Sequence, residues 1–267
     1  MSIPITWVDA FSDVPFAGNP AAVCVTESPL SAARMQSIAF ELGIAETAFV
    51  TPTDHPAAFG LRWFTPSIEV DLCGHATLAA AHALRAAGAV DGATTLTFAT
   101  RSGALSASFD GDLVVLDFPA DPVQSSPLPA ALDGQWAGAV ADTGHTPFFA
   151  FVALSSADAV RAYQPDLAAI AATGAKALLL TAAGDAGSGA DYVLRVFGPN
   201  VGIPEDPATG SAQCTAGPYW SAALGRAGDI LTARQLSPRG AVLFVRAVGD
   251  RVAIAGHATT VLRGHLC

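Results

Sequence analysis

The sequence predicts an α+β protein built from two related halves, because one pattern of residues occurs twice along the chain. The run Leu-Arg-x-Phe-x-Pro begins at Leu61 and again, 133 residues later, at Leu194. A glycine then opens an apolar helical stretch in each copy, at Gly74 and, 136 residues later, at Gly210. Two copies are too few for a repeat array. We therefore expect two half-molecules that face one another across a cleft, where a small ligand would bind.

Composition narrows the class of protein. The 267 residues, 51% of them hydrophobic and 13% charged, suffice for two domains with a core each. A net charge of −10 and a single lysine, Lys176, argue against a nucleic-acid partner. We expect no membrane span, since no apolar run reaches about 20 residues, and no signal peptide, since the N-terminus lacks a basic region followed by an apolar core. Cys24, Cys73, Cys214 and Cys267 lack C-x-x-C spacing, which favours a reducing, cytoplasmic location over a zinc site or a disulfide framework.

In the first half, β-branched and aromatic runs between Gly, Pro and Asp residues predict strands. These strands are Ile5–Ala10, Ala21–Thr26, Thr47–Thr51, Phe59–Phe64, Thr94–Ala99, Ala104–Phe109 and Leu113–Phe118. Apolar spacing predicts an amphipathic helix over Ser31–Leu42, capped by Ser31 and ended by Gly43. The nearly all-apolar stretch Gly74–Ala87 predicts a helix buried on every side.

The second half repeats this scheme. Its predicted strands lie near Phe148–Ala153, Ala177–Thr181, Tyr192–Phe197, Ile230–Arg234, Ala241–Val245 and Arg251–Ala255. A helix begins near Gly210, and Pro218 should kink or break it. Asp121–Pro129, rich in Pro and Ser, is the predicted linker. The predicted halves are residues 1–120 and 130–255, with residues from about 256 to 267 packing back on the first half.

The two helix starts predict an anion site. The first amides of a helix lack intrahelical acceptors and carry the positive end of the helix dipole. Glycine lets an anion approach them closely, and Gly74 and Gly210 are each followed by a polar residue, His75 and Ser211. Either glycine alone is more simply explained by tight packing, but their recurrence in matched contexts favours a functional role. A carboxylate or an enolate-like charge could then be held without arginine.

Several motifs together resemble the phenazine-biosynthesis PhzF-like family of the diaminopimelate epimerase superfamily. The motifs are Phe16-Ala17-Gly18-Asn19-Pro20, Glu46-Thr47-Ala48-Phe49-Val50, the block from Leu61 to Ala79 and Glu205-Asp206-Pro207-Ala208-Thr209-Gly210-Ser211-Ala212. The resemblance runs from Asp9 to about Gly256. It implies two pseudo-symmetric domains, each a β-barrel-like sheet around a central helix, with the active site in the cleft between them. It also implies cofactor-independent isomerase chemistry on a small anionic metabolite, and commonly a homodimer.

By this resemblance the catalytic residues are Glu46, His75 and Asp206, with proton transfer assigned to Glu46. The implied substrate-binding residues are Asn19, Cys73, Gly74, Thr209, Gly210 and Ser211. No metal or organic cofactor is expected. The sequence has no His, Cys and Asp residues clustered at metal-ligand spacing, no P-loop and no dinucleotide-binding motif. The run Gln235-Leu236-Ser237-Pro238-Arg239-Gly240 departs from the family pattern, which puts the substrate contacts of that loop in question.

Each of these residues also has a purely structural interpretation. Glu46 could be a solvated residue at the start of a strand, His75 a hydrogen-bonded core histidine and Asp206 the cap of a turn. Cys73 is more often a small buried hydrophobe than a reactive thiol, although a helix N-terminus lowers a thiol pKa.

Two other functions stay open. The epimerase branch of the superfamily places a cysteine before each glycine, whereas this chain has Cys73 before Gly74 but Thr209 before Gly210. Threonine has no accessible pKa near neutrality, so a two-thiol racemase is disfavoured. An amino-acid racemase or epimerase that pairs Cys73 with another group is one alternative. A small-molecule-binding protein without catalysis on the same fold is the other.

Overall fold

A computed structural model of the chain describes residues 2–91 and 95–267. These residues form two compact units. The first unit runs to Asp117 and includes the final segment Ala255–Cys267, and the second is Phe118–Ile254. None of the helices in the described ranges is both long enough and apolar enough to cross a membrane.

The elements alternate short strands with few helices, as an α+β fold requires. In chain order they are β1 (Ile3–Ala10), β2 (Asn19–Val25), α1 (Ala32–Leu42), β3 (Glu46–Pro52), β4 (Ala58–Phe64), β5 (Glu69–Val70), α2 (Gly74–Ala86), β6 (Leu96–Thr100), β7 (Gly103–Asp110), β8 (Leu113–Pro119), β9 (Gln124–Ser125), β10 (Val140–His145), β11 (Phe149–Leu154), α3 (Ala157–Ala162), α4 (Leu167–Ala172), β12 (Ala177–Ala183), β13 (Tyr192–Phe197), α5 (Gly210–Ala223), β14 (Ile230–Gln235), β15 (Ala241–Val248), β16 (Arg251–Gly256) and β17 (Ala258–Leu266). Single 3₁₀ turns lie at Ala130–Leu132 and Pro199–Val201.

The two units repeat one pattern of strand pairing. In the first unit, β1–β2 is antiparallel, β2–β3 parallel, β3–β4 antiparallel, β4–β6 parallel and β6–β7 antiparallel. In the second, β10–β11, β11–β12, β12–β13, β13–β14 and β14–β15 follow the same order of directions. The predicted α+β class with two pseudo-symmetric domains is therefore confirmed. In addition, the C-terminal strand β17 pairs with β1 in the first unit.

Capping residues define both ends of α1. Ser31 caps α1 by accepting a hydrogen bond from the Arg34 amide, and Gly43 closes the helix at φ +62°, a conformation that glycine adopts without strain.

Helix α2 is buried as predicted: its residues from Ala76 to Ala81 are wholly inaccessible to solvent, and it contacts β1, β2 and β3. The burial of α2 fixes the position of its first turn.

Pro218 does not break α5, contrary to the prediction. The helix continues to Ala223. Proline cannot donate a hydrogen bond to the carbonyl four residues earlier, which belongs to Cys214. That carbonyl instead accepts a 2.9 Å hydrogen bond from the Asp121 amide, so a neighbouring segment supplies the donor that proline lacks.

Other differences concern the linker and several elements that the sequence patterns did not predict. The predicted linker Asp121–Pro129 contains β9, which pairs with the end of β10. Strand β10, strand β17 and the short helices α3 and α4 were not predicted, because they span few residues or carry a mixed polar pattern. Thr94, the first residue of one predicted strand, lies outside the described residues.

Candidate functional site

Glu46 opens strand β3, directly after the turn that ends α1. Parallel pairing of Ala21 with Glu46 places its backbone beside β2. The residue is only 8% exposed, so it is not the solvated edge residue of the structural interpretation. Its Oε2 atom lies 3.1 Å from His75 Nε2 and makes no hydrogen bond of standard geometry within the described residues. A buried carboxylate oxygen with unused hydrogen-bonding capacity is costly for stability and typical of a functional site.

His75 is the second residue of α2 and is 7% exposed. Its Nδ1 atom lies 3.3 Å from Asn19 Nδ2 and 3.5 Å from Cys73 Sγ. The imidazole therefore lies among an amide, a thiol and the carboxylate of Glu46. The structure brings together four of the predicted site residues, which come from β2, β3 and the start of α2.

Asn19 is held by the turn between β1 and β2. Gly18, just before it, has φ +64°, and a Cβ there would lie 2.2 Å from the Ala10 carbonyl oxygen, so only glycine fits. In the same turn the Phe16 amide donates to Asp9 Oδ2 at 2.7 Å, while the Phe16 backbone adopts φ +68°. Asn19 itself is fully buried. The Phe-Ala-Gly-Asn-Pro motif thus serves to deliver a buried amide to His75.

Cys73 is the N-cap residue of α2, although its side chain makes no capping hydrogen bond. The first intrahelical bond runs from the Thr77 amide to the Cys73 carbonyl, and the Thr77 hydroxyl donates to the same oxygen at 2.6 Å. The amides of Gly74, His75 and Ala76 thus have no intrahelical acceptor, as the predicted anion site requires.

Burial and charge have opposite effects on the two titratable neighbours of Glu46. Burial raises the pKa of the Cys73 thiol, an effect that His75 partly offsets. Burial alone would lower the pKa of His75, but its interactions with Cys73 and Glu46 raise that pKa well above the usual range.

The second unit holds the other predicted residues in a network of its own. Thr209 is the N-cap residue of α5, and its hydroxyl donates to Asp206 Oδ2 at 2.6 Å. Gln235 accepts from the Thr209 amide at 2.8 Å and donates to the Asp206 carbonyl at 2.7 Å. Gly210 is buried and Ser211 is exposed at the start of the helix. Their roles, and that of Asp206 beside His75, stay predictions.

Gln235 was not predicted as a site residue, although it begins the run that departs from the family pattern. It is 1% exposed and organises both Asp206 and Thr209. Ser237, in the same run, donates to the Pro207 carbonyl at 2.7 Å. The signal available in the sequence was the position of Gln235 at the end of a strand, at the start of the run that departs from the family pattern.

Comparisons with known proteins show the family to which the chain belongs. The chain matches the family described as phenazine biosynthesis-like protein, PhzC–PhzF, over residues 8–264. An uncharacterised isomerase of Pseudomonas aeruginosa is 42% identical over 266 residues, which cover 100% of this chain and 99% of the relative. The crystal structure of a PhzF-family protein from Enterococcus faecalis superposes with a TM-score of 0.93 at 36% identity and full coverage of both chains.

A more distant neighbour shares the fold alone. A probable proline racemase from Agrobacterium radiobacter has a TM-score of 0.65 at 14% identity, over 99% of this chain and 93% of that one. The match to the family over nearly the whole chain and the close relatives lead to one conclusion. This chain belongs to the phenazine biosynthesis-like family.

Proposed function

We propose that the protein is a cofactor-independent isomerase that shifts a proton within a small carboxylate metabolite. The observation that carries this proposal is the buried Glu46 carboxylate, whose Oε2 atom lies 3.1 Å from His75 Nε2 and has no hydrogen bond of standard geometry. The isomerase names of curated relatives support the reaction class. The proposed reaction is a proton shift of the allylic or keto–enol type, because the residues at the site can remove and return a proton.

The chemistry proceeds in three steps. Glu46 removes a proton from carbon, and the electron pair left behind delocalises toward the substrate carboxylate. The positive end of the α2 dipole, at Gly74 and His75, stabilises that charge. His75, held as an imidazolium beside Glu46, donates a proton at a different atom of the substrate. Transfer of the first proton from Glu46 to His75 across their 3.1 Å contact then restores the starting state.

Asp206, Thr209, Gly210 and Ser211 are the remaining residues of the proposed substrate-binding set. The network of Gln235 holds the start of α5 in a defined geometry, as a substrate-binding role requires. The start of each of the helices α2 and α5 offers backbone amides suited to an anion.

The test is a variant of the proposed base. Wild-type protein, incubated in D₂O with a panel of small unsaturated and hydroxylated carboxylates, should incorporate deuterium at carbon in at least one of them. Glu46→Gln should lower this rate by about 10²- to 10⁴-fold, because an amide keeps the shape but cannot carry the proton. Its affinity for the same compound should stay within a few-fold.

Glu41→Gln is the matched control, since Glu41 lies exposed at the end of α1 and should keep the wild-type rate. The contact between Cys73 Sγ and the His75 ring favours one second candidate, a racemase that uses the thiol as its proton carrier. If Cys73→Ala abolishes exchange while Glu46→Gln remains active, the racemase replaces the Glu46-based isomerase.

A further inference from the structure

Glu46, Cys73 and His75 are spread over the sequence, but their donor atoms converge. Each of the three side chains offers one ligand atom, and these atoms lie within 4.8 Å of one another. In the described part of the chain this is the one cluster of three or more such residues. A carboxylate, a thiolate and an imidazole together form a donor set that zinc prefers.

The distances fit a tetrahedral ion. With ligand bonds of about 2.0 to 2.3 Å, zinc holds a nitrogen and an oxygen about 3.3 Å apart, and a nitrogen and a sulfur about 3.6 Å apart. Here His75 Nε2 lies 3.1 Å from Glu46 Oε2 and 4.0 Å from Cys73 Sγ. The three ligand atoms lie within 4.8 Å of one another, so side-chain rotations would bring them onto one ion and leave the fourth position open.

Two further features of the cluster support metal binding. Glu46 Oε2 is buried without a hydrogen bond of standard geometry, so a lone pair is available to a ligand. The second ring nitrogen of His75 lies 3.3 Å from the side-chain amide of Asn19, whose carbonyl oxygen can replace the nitrogen on rotation. A metal-bound histidine usually donates its other N–H to such an oxygen.

We propose that Glu46, Cys73 and His75 bind one Zn²⁺ ion reversibly and that this ion inhibits the enzyme. The inhibition rests on the proposed function: a zinc-bound Glu46 cannot accept a proton from carbon. The binding itself does not depend on that function and can be measured without a substrate.

The experiment titrates the full-length, chelator-treated protein with Co²⁺ and then Zn²⁺. Bound Co²⁺ should give one equivalent of a thiolate-to-cobalt charge-transfer band, which Zn²⁺ should displace. Cys73→Ser and Cys73→Thr should remove the band and weaken Zn²⁺ binding at least about 100-fold, more than the 10- to 100-fold typical of outer-shell changes. The Cys73→Thr variant has threonine at the N-cap of α2, the residue type that Thr209 provides at the N-cap of α5, so the start of α2 should still form. His75→Gln should weaken binding similarly.

Two cysteines serve as controls. Cys214 is as buried as Cys73, at 7% exposure, and Cys267 is exposed near His265 at the C-terminus. Cys214→Ser and Cys267→Ser should both keep the band and the affinity. A band that persists in Cys73→Thr, or disappears in Cys267→Ser, would overturn the zinc site.

Once a substrate is found, Zn²⁺ should abolish turnover and a chelator should restore it. Full activity of the zinc-loaded protein would overturn the inhibition. The zinc site and the isomerase mechanism are tested independently. An active Glu46→Gln variant would contradict the Glu46-based mechanism whether or not the protein binds zinc.

Discussion

Cys24 and Cys73 are both buried thiols, yet their surroundings differ. Cys73 lies against an imidazole and a carboxylate, whereas Cys24 lies in an apolar cluster with Ile5, Met35 and Phe49. Burial raises the pKa of Cys24 to about 12, from 9.0 for an unperturbed thiol. The same residue type is therefore a part of the candidate site in one place and an inert component of the core in the other.

Cys24 should make the folded state less stable at alkaline pH. Above pH 9.0 the unfolded chain releases this proton, while the folded chain keeps it up to about pH 12. The free energy of unfolding should therefore fall by at most about 1.4 kcal/mol per pH unit in that window, and not below it. Urea unfolding of wild type and Cys24→Ala from pH 7 to 10.5 tests this. The stability gap between them should narrow above pH 9, whereas Cys267→Ala should follow wild type throughout. A gap independent of pH would contradict the burial effect.

At the scale of elements, the close approach of α5 to the sheet depends on one glycine. Gly217 is buried in the middle of α5, and a Cβ there would lie 2.6 Å from Val245 Cγ1 on β15. Pro218, the next residue, is accommodated because the Asp121 amide binds the carbonyl that proline leaves without a donor. Gly217 and Pro218 ordinarily weaken a helix. Here the glycine allows close packing against β15, and a hydrogen bond from Asp121 compensates for the proline.

Gly217→Ala should destabilise the protein, although alanine is the better helix former by about 1 kcal/mol. Val245 is β-branched and cannot easily rotate away, so overpacking should cost about 1 to 3 kcal/mol. Adding Val245→Ala should remove the clash with the new methyl group. The double variant should therefore lose less stability than the sum of the two single variants, a difference that a double-mutant cycle by urea unfolding measures. Additive effects of the two substitutions would show that the contact is not limiting.

At the scale of the whole molecule, the repeated sequence run produces the same ion pair in both units. Arg62 binds Glu69 through two nitrogens at 2.7 and 2.8 Å, and Arg195 binds Glu205 in the same way at 2.8 and 3.0 Å. The pairs differ in burial, since the side chain of Arg62 is 35% exposed and that of Arg195 only 10%. Arg195 also donates to the Tyr163 carbonyl at 2.6 Å.

Matched substitutions should therefore have unequal effects. Arg195→Met removes a nearly buried guanidinium and its hydrogen bonds to Glu205 and the Tyr163 carbonyl, which should cost about 3 to 5 kcal/mol of stability. Arg62→Met removes a more exposed guanidinium and leaves Glu69 with Arg101 at 3.0 Å, so it should cost about 1 kcal/mol or less. Chemical denaturation of the two variants checks this difference, and equal losses would rule out burial as its cause. Assembly into a homodimer and binding of a small anionic metabolite stay predictions at this scale.

The sequence alone indicated most of the secondary structure and the repeated halves. Strand and helix patterns depend on residues close together in the chain, so α1, α2 and most strands could be predicted within a few residues. Ser31 and Gly43 were read correctly because capping is local. The same reasoning failed at Pro218, where the compensating donor comes from Asp121, nearly a hundred residues earlier.

The tertiary structure decided the chemistry of the site. The family resemblance pointed to Glu46 and His75, but the contacts between their side chains depend on parallel pairing of β2 with β3 and on the burial of α2. The convergence of Glu46, Cys73 and His75 on a possible metal position follows no linear spacing, and neither does the role of Gln235 beside Thr209. Local patterns record which residues prefer a helix or a strand, whereas distances of a few ångströms between remote side chains arise only when those elements pack.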